Sequence, residues 1–148
     1  MESDLEAIAR LIHLYAERLD AGDFEGVADL FARATFRSDR RPEVRRGSRE
    51  VLEVYRGTVL TYEDGRPSTR HVTTNLVVDV AADRDSASAR SYFTVFQARP
   101  GFPLQAIVAG GYRDRFRRRG AAWEFEDREV RIELVGDLRF HLTRAPEG

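Results

Sequence analysis

The stretch Thr69-Arg70-His71-Val72-Thr73-Thr74-Asn75-Leu76-Val77-Val78-Asp79-Val80 decides the fold. Val72, Thr74, Leu76, Val78 and Val80 fall on one side of an extended chain, and His71, Thr73, Asn75, Val77 and Asp79 on the other. Twelve residues of such alternation predict a long β-strand with one buried face. Downstream the pattern repeats. The turn Ala82-Asp83-Arg84-Asp85 leads to a strand over Ala87–Ala98, and Pro100-Gly101-Phe102-Pro103 leads to one over Leu104–Arg118. The hairpin Arg118-Arg119-Gly120-Ala121 leads to a last strand over Trp123–Leu134. Gly110-Gly111, inside the third strand, marks a bulge or sharp bend.

Upstream the period changes. Ser3 and Glu6 form an S-x-x-E capping box, and Leu5, Ile8, Ile12, Tyr15 and Leu19 recur at helical spacing. Gly22 ends that helix, and Asp23 caps a short second one carrying Phe24, Val27, Leu30 and Phe31. Short extended pieces follow at Thr35–Phe36 and Val44–Arg45. A third helix starts at Gly47-Ser48, with Ser48 as its cap and Val51, Leu52, Tyr55 and Val59 facing inward. Three helices followed by consecutive antiparallel strands predict a single α+β domain over 1–148. It has a mainly helical half over 1–62, long strands over 69–134 and a tail over 135–148. A sheet bent at Gly110-Gly111 wraps the helices into a cone and leaves a cavity for a small-molecule ligand.

Composition limits the chemistry. The net charge is −1, so nothing points to nucleic acid. All 24 basic residues are Arg, which excludes a Schiff-base lysine. No cysteine occurs, which excludes disulfides, thiol nucleophiles and thiolate metal sites. Three scattered histidines lack metal-ligand spacing, and no phosphate-binding or dinucleotide motif is present. The expectations are no metal, no cofactor and no membrane partner. The acidic N-terminus lacks signal-peptide character, so a cytoplasmic location is expected. Arg113, Arg115 and Arg117 should form an outward row of cross-strand ion pairs.

Tyr15-x4-Asp20-x2-Asp23-Phe24, Leu30-Phe31, Thr69-Arg70-His71, Asn75, Ser91-Tyr92-Phe93, Gly111-Tyr112-x-Asp114 and Trp123-x4-Arg128 together resemble SnoaL-like proteins of the nuclear transport factor 2-like superfamily. That resemblance implies a cone-shaped α+β barrel with three N-terminal helices on a strongly curved, mixed but mostly antiparallel sheet enclosing a pocket. It also implies a homodimer or higher oligomer. The superfamily holds dehydratases, ketosteroid isomerase, polyketide cyclases, dioxygenase β subunits and non-catalytic members. By resemblance to the dehydratases, Tyr15, Asp20 and His71 form the catalytic trio. Arg128, Tyr92, Thr94, Tyr55 and Asn75 are candidate substrate contacts. The expected activity is cofactor-independent acid–base chemistry, of dehydratase, isomerase or cyclase type, on a small hydrophobic, cyclic or polyketide-like substrate. The alternatives are a non-catalytic binding module or a stand-alone relative of the dioxygenase β subunit. One departure is plain: scytalone dehydratase has a second His on the next strand, and this chain has none between His71 and His141.

Each residue also has a structural reading. Asp20 can simply close the first helix, and Tyr15 lies on that helix's apolar stripe. Strict alternation points His71 away from Leu76 and Val78; only a bulge near Thr73–Thr74 brings it inside. His13 reads as a surface residue. His141 reads as surface too, unless the tail folds over the pocket mouth.

Overall fold

Helix α1 (Asp4–Asp20) starts on the capping box: the Ser3 side chain accepts from the Glu6 N–H, and the Glu6 carboxylate accepts from the Ser3 N–H. Its apolar stripe buries Ile8, Ile12, Tyr15 and Leu19, whereas Leu5 stays exposed in the first turn. Gly22 adopts φ +75° after the helix, and Asp23 caps α2 (Phe24–Asp29) by accepting from the Gly26 N–H. Helix α3 (Gly47–Thr58) corrects one expectation, because Ser48 is not its cap. Gly47, at φ +77°, turns the chain straight from strand to helix, which leaves Ser48 inside the first turn. The Arg46 N–H is instead met by the Glu50 carboxylate at 3.1 Å.

The computed structural model describes residues 1–144. Among them six strands form one open sheet: β1 (Thr35–Ser38), β2 (Arg41–Arg46), β3 (Thr69–Val80), β4 (Ser86–Arg99), β5 (Phe102–Arg119) and β6 (Ala122–Val135). The order is β2-β1-β6-β5-β4-β3. All pairs are antiparallel except β1 with β6, so the sheet is mixed as expected. The helices cover its concave face, and a single core joins Ile8, Ile12 and Phe31 to Phe93, Val95, Phe116 and Phe125. Fully burying each of these side chains contributes roughly 1.5–3 kcal/mol. No helix of the described residues is long and apolar enough to cross a membrane.

Two irregularities shape the concave face. On β5 the register shifts between Ala109 and Gly110. A Cβ on Gly110 would lie 1.9 Å from the Arg131 carbonyl oxygen, so only glycine allows the strands to approach there. On β3, Thr74 pairs with Tyr92 but Val77 pairs with Arg90, so Asn75 and Leu76 together oppose the single residue Ser91. Asn75 takes φ +55° at this bulge. The extra residue reverses the faces of β3. Upstream of it His71 turns inward with Thr69; downstream Leu76 and Val78 turn inward, while Val72 and Val77 are exposed. The bulge lies just beyond the Thr73–Thr74 position that strict alternation demanded.

On the convex face Arg113, Arg115 and Arg117 are exposed, opposite Glu129, Asp127 and Glu124. Arg117 pairs with Glu126 at 2.5 Å. The expected ladder forms only in part: among the described residues Arg113 and Arg115 make no close ion pair, and Glu129, Asp127 and Glu124 are engaged by Arg37, Arg131, Arg33 and Arg119.

Candidate active site

Asp20 ends α1 facing the first residues of β3. Its Oδ1 accepts from the Thr69 hydroxyl at 2.9 Å and lies 2.6 Å from His71 Nδ1, and its Oδ2 accepts from the His71 backbone N–H at 2.7 Å. Burial by itself would raise the Asp20 carboxyl, but the hydrogen bonds and charge of His71 and the Thr69 hydroxyl carry it below the usual carboxylate range. The carboxylate is therefore ionised near neutral pH. An ionised acceptor on Nδ1 holds the proton there and leaves the Nε2 lone pair as the basic position. The His71 ring lines a cavity between α1, α3 and the sheet.

That cavity has a volume of about 170 Å³. An engineered protein cavity of about 150 Å³ admits benzene, so this space accommodates about one six-membered ring. Its walls are largely aliphatic and aromatic, including Leu19, Phe36, Phe93, Val95, Val108 and Leu138. Tyr15 and Tyr55 both line it, with their hydroxyls in a short mutual hydrogen bond. Desolvation raises both phenols, Tyr55 strongly, so both keep their protons. The mutual bond uses one of the two hydroxyl protons and leaves the other for a ligand oxygen.

The sequence departed from the dehydratases in lacking a second histidine on the next strand. The tail supplies one. His141 lines the same cavity, is 5% exposed, and its ring centroid lies 6.1 Å from that of His71. The tail is pinned at several points. The Gln97 amide donates to the carbonyls of Pro67 and Phe140, the Tyr62 hydroxyl donates to the Phe140 carbonyl, and the Leu60 N–H donates to the His141 carbonyl. The available sequence signal was the apolar spacing of Leu138, Phe140 and Leu142 around His141, which marks a packed segment. Burial, and secondarily the neighbouring His71, lowers His141 to about 4, while Asp20 opposes the shift. Its Nδ1 is buried without a hydrogen-bond partner.

A pH prediction follows. An unfolded histidine takes up its proton near pH 6.5, but folded His141 resists until about 4. The contribution to stability is complete above 6.5 and is lost as pH falls toward 4, amounting to about 3 kcal/mol over the window. Denaturant midpoints between pH 7 and 4 should therefore fall more steeply in the wild type than in His141→Gln. Parallel curves would contradict this placement.

The remaining candidates lie elsewhere. Arg128 does not reach the cavity. It is fully buried and binds Asp114 through two hydrogen bonds of 2.7 and 2.9 Å. Its guanidinium lies 4.3 Å from the Tyr15 ring centroid and 3.8 Å from that of Tyr112, so it supports the cavity wall from behind. Asn75 is consumed by the β3 bulge and faces outward. Tyr92, 59% exposed, and Thr94 occupy the outward positions of β4, because alternation gives the inward ones to Ser91, Phe93 and Val95. Tyr92, Thr94 and Asn75 are therefore not cavity contacts. His13 lies outside the cavity. Among the described residues no three His, Asp or Glu side chains group as metal ligands.

Solved structures share this architecture. A protein of unknown function from Mycobacterium tuberculosis is 26% identical, with a TM-score of 0.71 over 89% of this chain and 73% of that one. A protein named as a candidate scytalone dehydratase from Novosphingobium aromaticivorans is 21% identical, with a TM-score of 0.72 over 97% and 91%. A protein of the nuclear transport factor 2-like class with a cystatin-like fold, from the same organism, is 22% identical, with a TM-score of 0.72 over 87% and 81%. No protein of curated function matches the chain in sequence. The SnoaL-like domain matches residues 2–129, and the chain belongs to that family.

Proposed function

We propose that this protein is a cofactor-independent acid–base enzyme, a dehydratase or isomerase, acting on a small cyclic substrate that carries a carbonyl group. The observation that carries this reading is the 2.6 Å contact between His71 Nδ1 and Asp20 Oδ1, on a ring that lines an apolar cavity. A module that only binds has no need of an oriented, basic imidazole there, so the contact favours catalysis.

The residues divide the work as follows. His71 Nε2 removes the proton next to the carbonyl. The free hydroxyl proton of the Tyr15–Tyr55 pair donates to the carbonyl oxygen as it becomes an enolate. Asp20 stabilises the resulting imidazolium. Where the adjacent carbon bears a hydroxyl, the imidazolium returns the proton to it, the C–O bond breaks, and water leaves. Where it does not, the proton returns to another carbon and the product is an isomer. Neutral His141 hydrogen-bonds the departing or migrating group from beside His71.

The test is a panel of single-ring ketones and β-hydroxyketones in D2O, followed by NMR. Deuterium entry next to the carbonyl, or loss of water, is expected with wild type and is abolished in His71→Gln. Ligands that bind yet show neither reaction would leave only the binding-module reading.

A further inference from the structure

The mouth of the cavity has a charge pattern that the proton chemistry does not use. Arg40 and Arg41, from the β1–β2 hairpin, and Arg144, from the tail, all line it. Among the described residues no carboxylate does; Asp20 stands behind His71, outside the lining. Arg40 is fixed in place, with Nε and Nη2 donating to the Ile132 carbonyl at 3.3 and 2.8 Å. Asp39, beside it, lies 3.9 Å from Arg40 Nε and accepts from the Ile132 N–H at 3.1 Å, outside the cavity lining. Arg144 follows a pinned segment: the Thr143 N–H donates to the Thr58 carbonyl and the Thr143 hydroxyl to the Gly57 carbonyl. Just outside the mouth, a shallow depression shares Arg41, Thr58 and Arg144, adds Arg45, and contains one carboxylate, Glu53.

We infer that the ligand is amphipathic and anionic: an apolar ring inside the cavity, joined to an oxyanion held by Arg41 and Arg144 at the mouth. This rests on reading the cavity as a ligand site. Guanidinium groups match carboxylate and phosphate oxygens through paired hydrogen bonds. Arg41 and Arg144 at the opening of an apolar cavity place positive potential there and draw such ligands in. The ring-sized interior excludes a large polycyclic skeleton, so the anion must sit within a short chain's length of the ring. Carboxylate and phosphate monoester are the two forms of this chemistry.

Calorimetric titration with 3-phenylpropanoate, phenyl phosphate and the neutral 3-phenylpropanamide tests the proposal. The two anions should bind wild type about tenfold to a hundredfold tighter than the amide, with the preference shrinking as salt rises. Arg41→Gln/Arg144→Gln should erase the preference and leave amide affinity unchanged. His71→Gln should retain it, which separates this proposal from the acid–base reading: a preference that persists in a protein with no turnover keeps the rim and removes the chemistry. The stronger of the two anions identifies the oxyanion. Equal binding of acid and amide overturns the proposal, as does a preference that survives the double substitution or vanishes in His71→Gln. Failure of all three ligands to bind overturns it together with the cavity reading beneath it.

Discussion

His71→Gln is expected to lower turnover by about 10²- to 10⁴-fold, the usual contribution of a positioned general base. Gln fills similar space but cannot accept a proton. Asp20→Asn should act in the same direction for a different reason. The Asn amide can donate to Nδ1, which moves the imidazole proton to Nε2 and turns the reactive nitrogen from base to donor. Asp20 also fastens β3 to α1 by accepting from Thr69 and the His71 N–H. The comparison must therefore be made on protein shown to be folded, with the pH profile as the second readout. In Asp20→Asn the acidic limb of kcat/KM should shift, whereas a purely structural loss would lower the whole profile without moving it. Full turnover in both variants would remove His71 and Asp20 from the chemistry.

The second large effect concerns stability. Asp114 and Arg128 are both fully buried and joined by two hydrogen bonds. Burial pushes the Asp114 carboxyl upward, and the attraction of Arg128 opposes that rise. Removing one partner strands the other. Asp114→Ala should cost about 3–5 kcal/mol, because the Arg128 guanidinium would remain in the core without a counter-charge. In a chain of this length the melting temperature should fall by on the order of 10 °C. Replacing both groups, as Asp114→Leu/Arg128→Met, should recover much of the loss, since burying the pair costs desolvation that apolar side chains avoid. Because Arg128 lies against Tyr15 and Tyr112, the double variant should still lose turnover through a displaced Tyr15. A loss under 1 kcal/mol in Asp114→Ala would show that the pair is not closed off from water.

The sequence showed the periodic features well and the irregular ones poorly. The capping box, the α1 stripe, the long strands and the role of Gly110 all follow from local spacing, and the structure agrees within one or two residues at most strand ends. The orientation of His71 did not, because it depends on a single inserted residue at Asn75. Before the bulge odd-numbered residues face inward, and after it even-numbered ones do, so no fixed alternation describes β3. Tyr92 and Thr94 failed as cavity contacts for the opposite reason: β4 has no irregularity there, and strict alternation sends both outward. His141 was hidden by distance. Seventy residues of chain separate it from His71, and only tertiary packing of the tail, through Gln97 and Tyr62, brings the rings together. Arg128, expected to contact substrate, is instead paired with Asp114 on the neighbouring strand, a partner that local spacing does not reveal.

The central claim is that Asp20 holds the His71 proton on Nδ1 and leaves Nε2 as a base toward the cavity. Nitrogen-15 NMR of the histidine side chains, at a pH where His71 is neutral, reads this without any substrate. The expected result is the Nδ1–H tautomer at His71, with Nε2 unprotonated, and a change of tautomer population in Asp20→Asn. A His71 ring carrying its proton on Nε2 in the wild type, or one indifferent to the Asp20 substitution, would contradict the account.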